Sequence, residues 1–140
     1  MTLNVYLFFD GECREAFEFY RSVFGGEFEE FVTYAGGPLD IEVPDDERDR
    51  VMHVSLPVGP TMLMGNDSCS AFGEPPVAGS NLAISITGES REHCDDICAR
   101  LSEGGTVEIP TQEMFWGGYF GSWQDRFGIR WMVNYQMTDA

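Results

Sequence analysis

The feature that most constrains this chain is an internal duplication. Residues 8–26, FFDGECREAFEFYRSVFGG, read as the end of an apolar strand, a polar turn, an amphipathic helix and a closing Gly-Gly. The same order returns at residues 81–105, NLAISITGESREHCDDICARLSEGG. Strand-like segments follow each Gly-Gly, with glycine-centred turns at Val58-Gly59-Pro60 and Phe127-Gly128-Ile129. A repeat of this length is one supersecondary unit used twice. The pattern predicts an α+β chain of two βαβββ modules, about 1–66 and about 81–140, joined by a Pro/Gly/Ser-rich linker at about 67–80, in a single domain spanning 1–140.

The spacing predicts strands at 3–9, 27–35, 51–56, 61–64, 81–87, near 106–109, 118–124 and 129–136. Helices are expected at about 12–24 and 90–103, where apolar residues recur at helical spacing. In the first helix the stripe is Cys13, Ala16, Phe17, Tyr20, Val23 and Phe24, and glycine past its end suits a helix terminus. Residues 36–50 and 110–117 read as loops, punctuated by Pro and Gly. Cys94 and Cys98, four apart, join Ile97 and Leu101 in the second helix's stripe. They read as core residues rather than zinc ligands or disulfide partners. Trp123 and Trp131 also read as core. His93 falls on the polar face of the helix, and Ser90 lacks the acid that would complete a capping box.

Charge narrows the partners. The 24 acidic residues face 8 basic ones, all arginine, for a net charge of −16. A chain without lysine has no Schiff-base residue and no lysine phosphate clamp. The acidic surface argues against nucleic acid and anionic membrane partners. No apolar run approaches the roughly 20 residues of a membrane span. The N-terminus lacks the signal-peptide pattern, so the cytoplasm is the expected compartment.

Three segments carry a family resemblance: YLFFDGECREAFEFYRSVFGG, MHVSLPVGPTMLMGND and FWGGYFGSWQDRFGIRWMVNYQ. In that order they resemble the vicinal oxygen chelate superfamily of glyoxalase, bleomycin-resistance and dioxygenase proteins, and its PhnB-like branch in particular. The resemblance implies two curled mixed sheets around a cavity, with helices outside, and a homodimer. Metal-dependent members place His or Glu ligands on the first and last strand of each module. Matching Asp125-Arg126-Phe127-Gly128 to the family pattern puts Met132 at a glutamate position, and matching Gly59 to Gly128 puts Leu63 at the other. Asn4 is the expected occupant of the first histidine position, with Asn81 or Ala83 as its counterpart. Two amides, a leucine and a methionine do not make a hard-cation or zinc site. No metal and no cofactor are expected, unless loop residues such as Glu113 or Asp67 are recruited.

Alternation along strands supplies a candidate cavity lining. It comprises Asn4, Tyr6 and Phe8, then His53 and Ser55, then Ser122 and Gln124, and finally Arg130, Met132 and Asn134. Ser85 and Thr87 are expected beside them, with Met52, Val54 and Leu56 on the opposite, apolar face of their strand. His53 reads either as a general base or ligand anchor, or as a histidine bonded within the sheet. Arg130 reads as an anchor for an anion or as a salt-bridge residue. Glu113, Phe115 and Trp116 read as a lid hinged at Gly117-Gly118, or as a packed aromatic turn. The leading functional expectation is metal-free binding of a small organic molecule, as in members that sequester glycopeptide drugs. The other is a lyase, isomerase or transferase with His53 as base and Arg130 or Tyr6 orienting substrate. No glycine-rich nucleotide loop supports the methyltransferase label carried by some relatives.

Overall fold

A computed structural model describes residues 1–36 and 42–137. The chain divides into two compact units, Met1–Val77 and Ala78–Ala140. The first contains β1 (Val5–Phe9), α1 (Cys13–Phe24), β2 (Glu30–Thr33), β3 (Val51–Val58) and β4 (Thr61–Asp67). The second contains β5 (Ile84–Thr87), α2 (Arg91–Leu101), β6 (Thr106–Glu113), β7 (Gly118–Gln124) and β8 (Arg130–Gln136). Both are βαβββ modules, and both sheets are mixed. Their orders are β1-β4-β3-β2 and β5-β8-β7-β6. Each first strand runs parallel to the last strand of its module, and the hairpin neighbours run antiparallel.

One face of each sheet carries the helix. Cys13, Ala16, Phe17 and Tyr20 of α1 are fully buried, in the expected stripe. They pack over Leu7, Val54, Leu56 and Gly65, and a Cβ on Gly65 would meet the Phe17 ring at 2.7 Å. In the second unit Cys94, Ile97, Cys98 and Leu101 of α2 are buried with Trp123, Trp131 and Val133. Fully burying a large apolar side chain contributes about 1.5–3 kcal/mol, so these two stripes are the main source of module stability. All four cysteines are buried free thiols. None of the described helices is long and apolar enough to cross a membrane.

The two helices start differently. Ser90 Oγ accepts the His93 N–H at 3.0 Å, and His93 Nδ1 accepts the Glu89 N–H at 3.0 Å. His93 thus stands where a capping box has its acid, so it does more than occupy the polar face. At α1 the flanking Glu12 makes no side-chain cap bond. The acceptor is Asp67, at the end of β4, whose Oδ1 takes the N–H groups of Gly11 (2.8 Å) and Cys13 (2.9 Å).

Two expectations are corrected. Residues 110–113 continue β6, because that strand is the sheet edge and an edge tolerates the missing N–H of Pro110. The ladder records the irregularity as breaks in register around Ile109. In the 36–50 segment, the described part includes a single 3-10 turn at Asp45–Glu47, and 37–41 lie outside the described residues.

Candidate functional site

Each helix covers one face of its own sheet, so the candidate lining falls to the opposite face. The pairing register identifies what it presents. In the first module Tyr6 lies opposite Met64, and Met64 opposite Ser55. One step along, Phe8 lies opposite Asn66, and Val32 opposite His53. The second module has Ser85, Met132 and Ser122 in one row, and Thr87, Asn134 and Phe120 in the next. Tyr6, Phe8, His53, Ser55, Ser122, Met132 and Asn134 therefore lie on the faces turned away from the helices.

Several of these side chains are committed within their own sheet. Ser55, buried, accepts the Glu30 N–H through its hydroxyl at 3.1 Å. Asn4, just before β1, accepts the Met62 N–H at 3.0 Å and so prolongs the β1–β4 pairing. Tyr6 Oη and His53 Nδ1 are 3.0 Å apart, and the two rings stack with centroids 5.7 Å apart. Burial pushes the Tyr6 phenol up, which keeps it protonated. In the tautomer with the imidazole proton on Nε2, Tyr6 donates to Nδ1 and leaves the Nε2–H for an outside acceptor.

A hollow of about 430 Å³ opens at the end of this face. Phe8, Met52 and Asn66 form its sheet side; Tyr34, just after β2, and the segment that follows β4, including Cys69, Phe72 and Glu74, form the rest. Met52 was expected on the helix side. The β2–β3 register slips between Val32 and Thr33, and this bulge turns Met52 toward the hollow. Phe8 is 60% exposed and Phe72 53%, and the Tyr34 and Phe72 rings stack at 6.2 Å.

Several polar groups of the wall have partners in the protein. Tyr34 Oη donates to the Asp67 carbonyl at 2.6 Å. Burial, with Cys69 and Asp67 close by, pushes that phenol up to about 12. Besides Gly11 and Cys13, the Asp67 carboxylate accepts the Val51 N–H at 2.9 Å. Ser68 Oγ donates to Asp10 at 3.0 Å, and the Cys69 thiol points at Glu47 at 3.6 Å. Arg50 holds the same corner through Asp10 (2.9 Å) and the Ser68 carbonyl (3.0 Å). Asn66 Oδ1 is closed to solvent and has no hydrogen-bond partner.

In the second module, Arg130 is paired with Glu108 at 2.7 Å, the salt-bridge alternative for that residue. Gln124 pairs across β7–β8 with Arg130. Glu113 does not join a lid: it ends β6 opposite Tyr119 and pairs with Arg91 of α2 at 2.9 Å. Arg91 also lies over the Tyr119 ring, whose hydroxyl donates to Asp95, so Glu113 belongs to the helix side. Trp116 packs edge-on against Phe120 at 6.0 Å, and Phe115 is almost fully exposed.

Two βαβββ modules, each a curled mixed sheet with one helical face and one open face, define the class of protein. The chain belongs to the Glyoxalase/Bleomycin resistance protein/Dioxygenase superfamily, whose sequence profile matches residues 2–133. It is similar to protein PA1353 from Pseudomonas aeruginosa, with 35% identity and a TM-score of 0.87 over 99% of both chains. A putative 3-demethylubiquinone-9 3-methyltransferase, the PhnB protein from Bacillus cereus, shares the fold at 20% identity and a TM-score of 0.77, over 96% of this chain and 99% of that one. Protein YjdN from Escherichia coli (strain K12) is 25% identical over 96% of this chain and 95% of its own length.

The residues present do not fit the metal that some superfamily members carry. The register pairs Leu63 with Val5 and Leu56, on the α1 side, and gives Met64 the place that Met132 has in the second module. The offset arises because β3 and β4 are joined by two residues, whereas five separate β7 from β8. Methionine at both positions offers a soft, weak thioether donor. Asp67 is held by three backbone N–H groups, and Glu113 is paired with Arg91 on the helix side. Among the described residues, no three His, Cys, Asp or Glu side chains come together as a metal site.

Proposed function

We propose that this protein binds a small organic molecule on the open face of its first sheet, without a metal, and that it works as a homodimer in the cytoplasm. The observation that supports the reading most directly is the hollow of about 430 Å³, with the aromatic side chains of Phe8, Tyr34 and Phe72 in its lining. The volume lies in the range of small-molecule pockets, roughly 300–1,000 Å³. Four free thiols accord with a reducing compartment. The homodimer follows the superfamily resemblance.

Native mass spectrometry of protein purified without added metal, compared with its denatured mass, tests this directly. The expected result is a metal-free dimer, with or without an organic adduct, and a melting temperature unchanged by chelator. One divalent ion per chain, or a large drop in melting temperature with chelator, overturns the metal-free reading.

A second reading is favoured by the Tyr6–His53 pair: an enzyme of the lyase, isomerase or transferase kind with His53 as base. A base at Nε2 needs the tautomer in which Nδ1–H donates to Tyr6 Oη, 3.0 Å away; the bond then holds the unprotonated Nε2 in a defined direction. Arg130, paired with Glu108, gives it no support as a substrate anchor. Turnover that disappears in both Tyr6→Phe and His53→Ala, with ligand affinity retained, selects this reading over binding alone.

A further inference from the structure

We infer that the hollow of the first module takes a small alkylated ammonium ion, held among the rings of Phe8, Tyr34 and Phe72 with Glu74 as its counter-charge. This names a ligand class for the binding reading above and rests on it.

The three rings are fixed separately. Phe8 stands on β1, paired with β4. Tyr34 follows β2, where its N–H bonds the Arg50 carbonyl at 3.1 Å. Phe72 sits in a turn closed by its own N–H on the Cys69 carbonyl at 2.9 Å. All three line the hollow, and Phe8 and Phe72 keep more than half of their surface exposed. The face of an aromatic ring is electron-rich, so a cation within about 6 Å of its centroid is attracted.

Charge sets the sign of the guest. Among the described residues the lining holds two acids, Asp67 and Glu74, and no Lys, Arg or His. Asp67 is bonded to three backbone N–H groups. Glu74 is exposed and has no ion-pair or hydrogen-bond partner among the described residues. Glu47 adds a carboxylate beside Cys69, and the Ser70 hydroxyl holds it below the usual carboxylate range. Arg50, the cation of this corner, is engaged by Asp10 and the Ser68 carbonyl. The Tyr34 proton goes to the Asp67 carbonyl. An anion that loses water here meets no basic side chain in return.

Hydrogen-bond valence sets the degree of alkylation. A primary ammonium carries three N–H donors, each of which needs an acceptor once it leaves water. The carbonyls of Asp67, Ser68 and Cys69, all lining residues, already accept from Tyr34, Arg50 and Phe72. A quaternary ammonium asks for no acceptor. Its charge is spread over methyl groups that pack against ring faces.

The test is a two-dimensional NMR titration of the full-length, isotope-labelled protein with four probes. They are choline, its neutral carbon isostere dimethylbutanol, the primary amine ethanolamine, and the anion pivalate. Choline is expected to give saturable shifts at the Gly73 and Glu74 amides. The other three should bind there at least about tenfold more weakly, the order that one partly desolvated cation–π contact supplies. Phe72→Leu should weaken choline about threefold to fivefold and leave dimethylbutanol unchanged. Glu74→Gln should weaken choline about threefold at low salt and less at high salt, as loss of an exposed charge requires. Both side chains are exposed, so neither substitution touches the core. Dimethylbutanol or pivalate binding as tightly as choline overturns the cation class and leaves the binding reading standing. Ethanolamine doing so overturns the preference for an alkylated ion. Unchanged choline affinity in Phe72→Leu overturns the role of that ring, and in Glu74→Gln the role of the counter-charge. Absence of saturable shifts in the hollow with all four probes overturns both readings.

Discussion

The first module fastens the start of its helix from a distance, and the second does so locally. Asp67 lies more than fifty residues from Gly11 and Cys13, yet its carboxylate holds both N–H groups and, through Oδ2, the first residue of β3. Ser90 and His93 cap α2 within four residues of each other. The helix faces of the two sheets are otherwise built alike, with an apolar stripe over the two central strands. The open faces have diverged: Tyr6, Phe8 and His53 in one correspond to Ser85, Thr87 and Phe120 in the other. The divergent face is the one beside the long-range tie. Asp67 directly follows Asn66, so the bonds that fix Asp67 also fix the strand end that lines the hollow.

The largest effect expected from this contrast is at Asp67. Asp67→Ala leaves three N–H groups without an acceptor, those of Cys13 and Val51 in a buried setting. Each such loss costs about 1–3 kcal/mol, and neighbours are not additive, so a destabilisation of roughly 3–5 kcal/mol is expected. Urea unfolding of the variant against the parent chain reads it. A loss below about 1 kcal/mol, the usual value of one surface cap, would place Asp67 on a par with Ser90 and remove the contrast.

Packing supplies the next. Leu7, Gly65 and Val54 form one row of the first sheet, and Ile86, Val133 and Gly121 form the matching row of the second. Glycine stands on β4 in one and on β7 in the other. At Gly65 the Phe17 ring fills the space, with the Leu7 carbonyl 2.9 Å from where a Cβ would lie. In the second module Val133 fills the equivalent place beside Cys94 and Gly88. Gly65→Val, which copies the second module, should cost about 1–3 kcal/mol by overpacking. Adding Phe17→Leu should return part of that loss, since the two sites share one volume. A neutral Gly65→Val would mean that the helix is free to move away, and the two helix faces would not be packed as described.

Much of the frame was legible in the sequence because two periodicities carry it. Helical spacing located both stripes, and alternation located both open faces, including Trp131 and Val133 on the helix side. Legibility ended where a single residue broke the count. The bulge opposite Thr33 moved Met52 across the sheet, and an edge strand absorbed Pro110. Aligning the modules on Gly59 and Gly128 shifted Leu63 onto the wrong face, because the loops before the last strands differ in length. The sequence did hold a better key: Met64-Gly65-Asn66 and Met132-Val133-Asn134 share a Met-x-Asn pattern in register. Asn66 itself fell beyond the strand expected at 61–64, at the last position of the first module, and drew no role. Tyr34 and Phe72 reach the hollow from irregular segments, where no period marks them, and the long-range role of Asp67 has no local signature.

The smallest effect is also the cleanest discriminator between the two helix starts. Ser90→Ala removes the acceptor of the His93 N–H and should cost about 1 kcal/mol, the typical value of a serine cap. Ser90→Asp should restore it, since a carboxylate both accepts the same bond and sits favourably at the positive end of the helix. The corresponding substitution before α1, Glu12→Ala, removes a side chain that makes no cap bond and should stay within about 0.5 kcal/mol of the parent. Equal losses at Glu12 and Ser90 would show that α1 draws its cap from its own flank, and Asp67 would then be a sheet residue only. A loss confined to Ser90, together with a large one at Asp67, leaves the distant carboxylate as the device that ties helix, sheet and the wall of the hollow together in the first module.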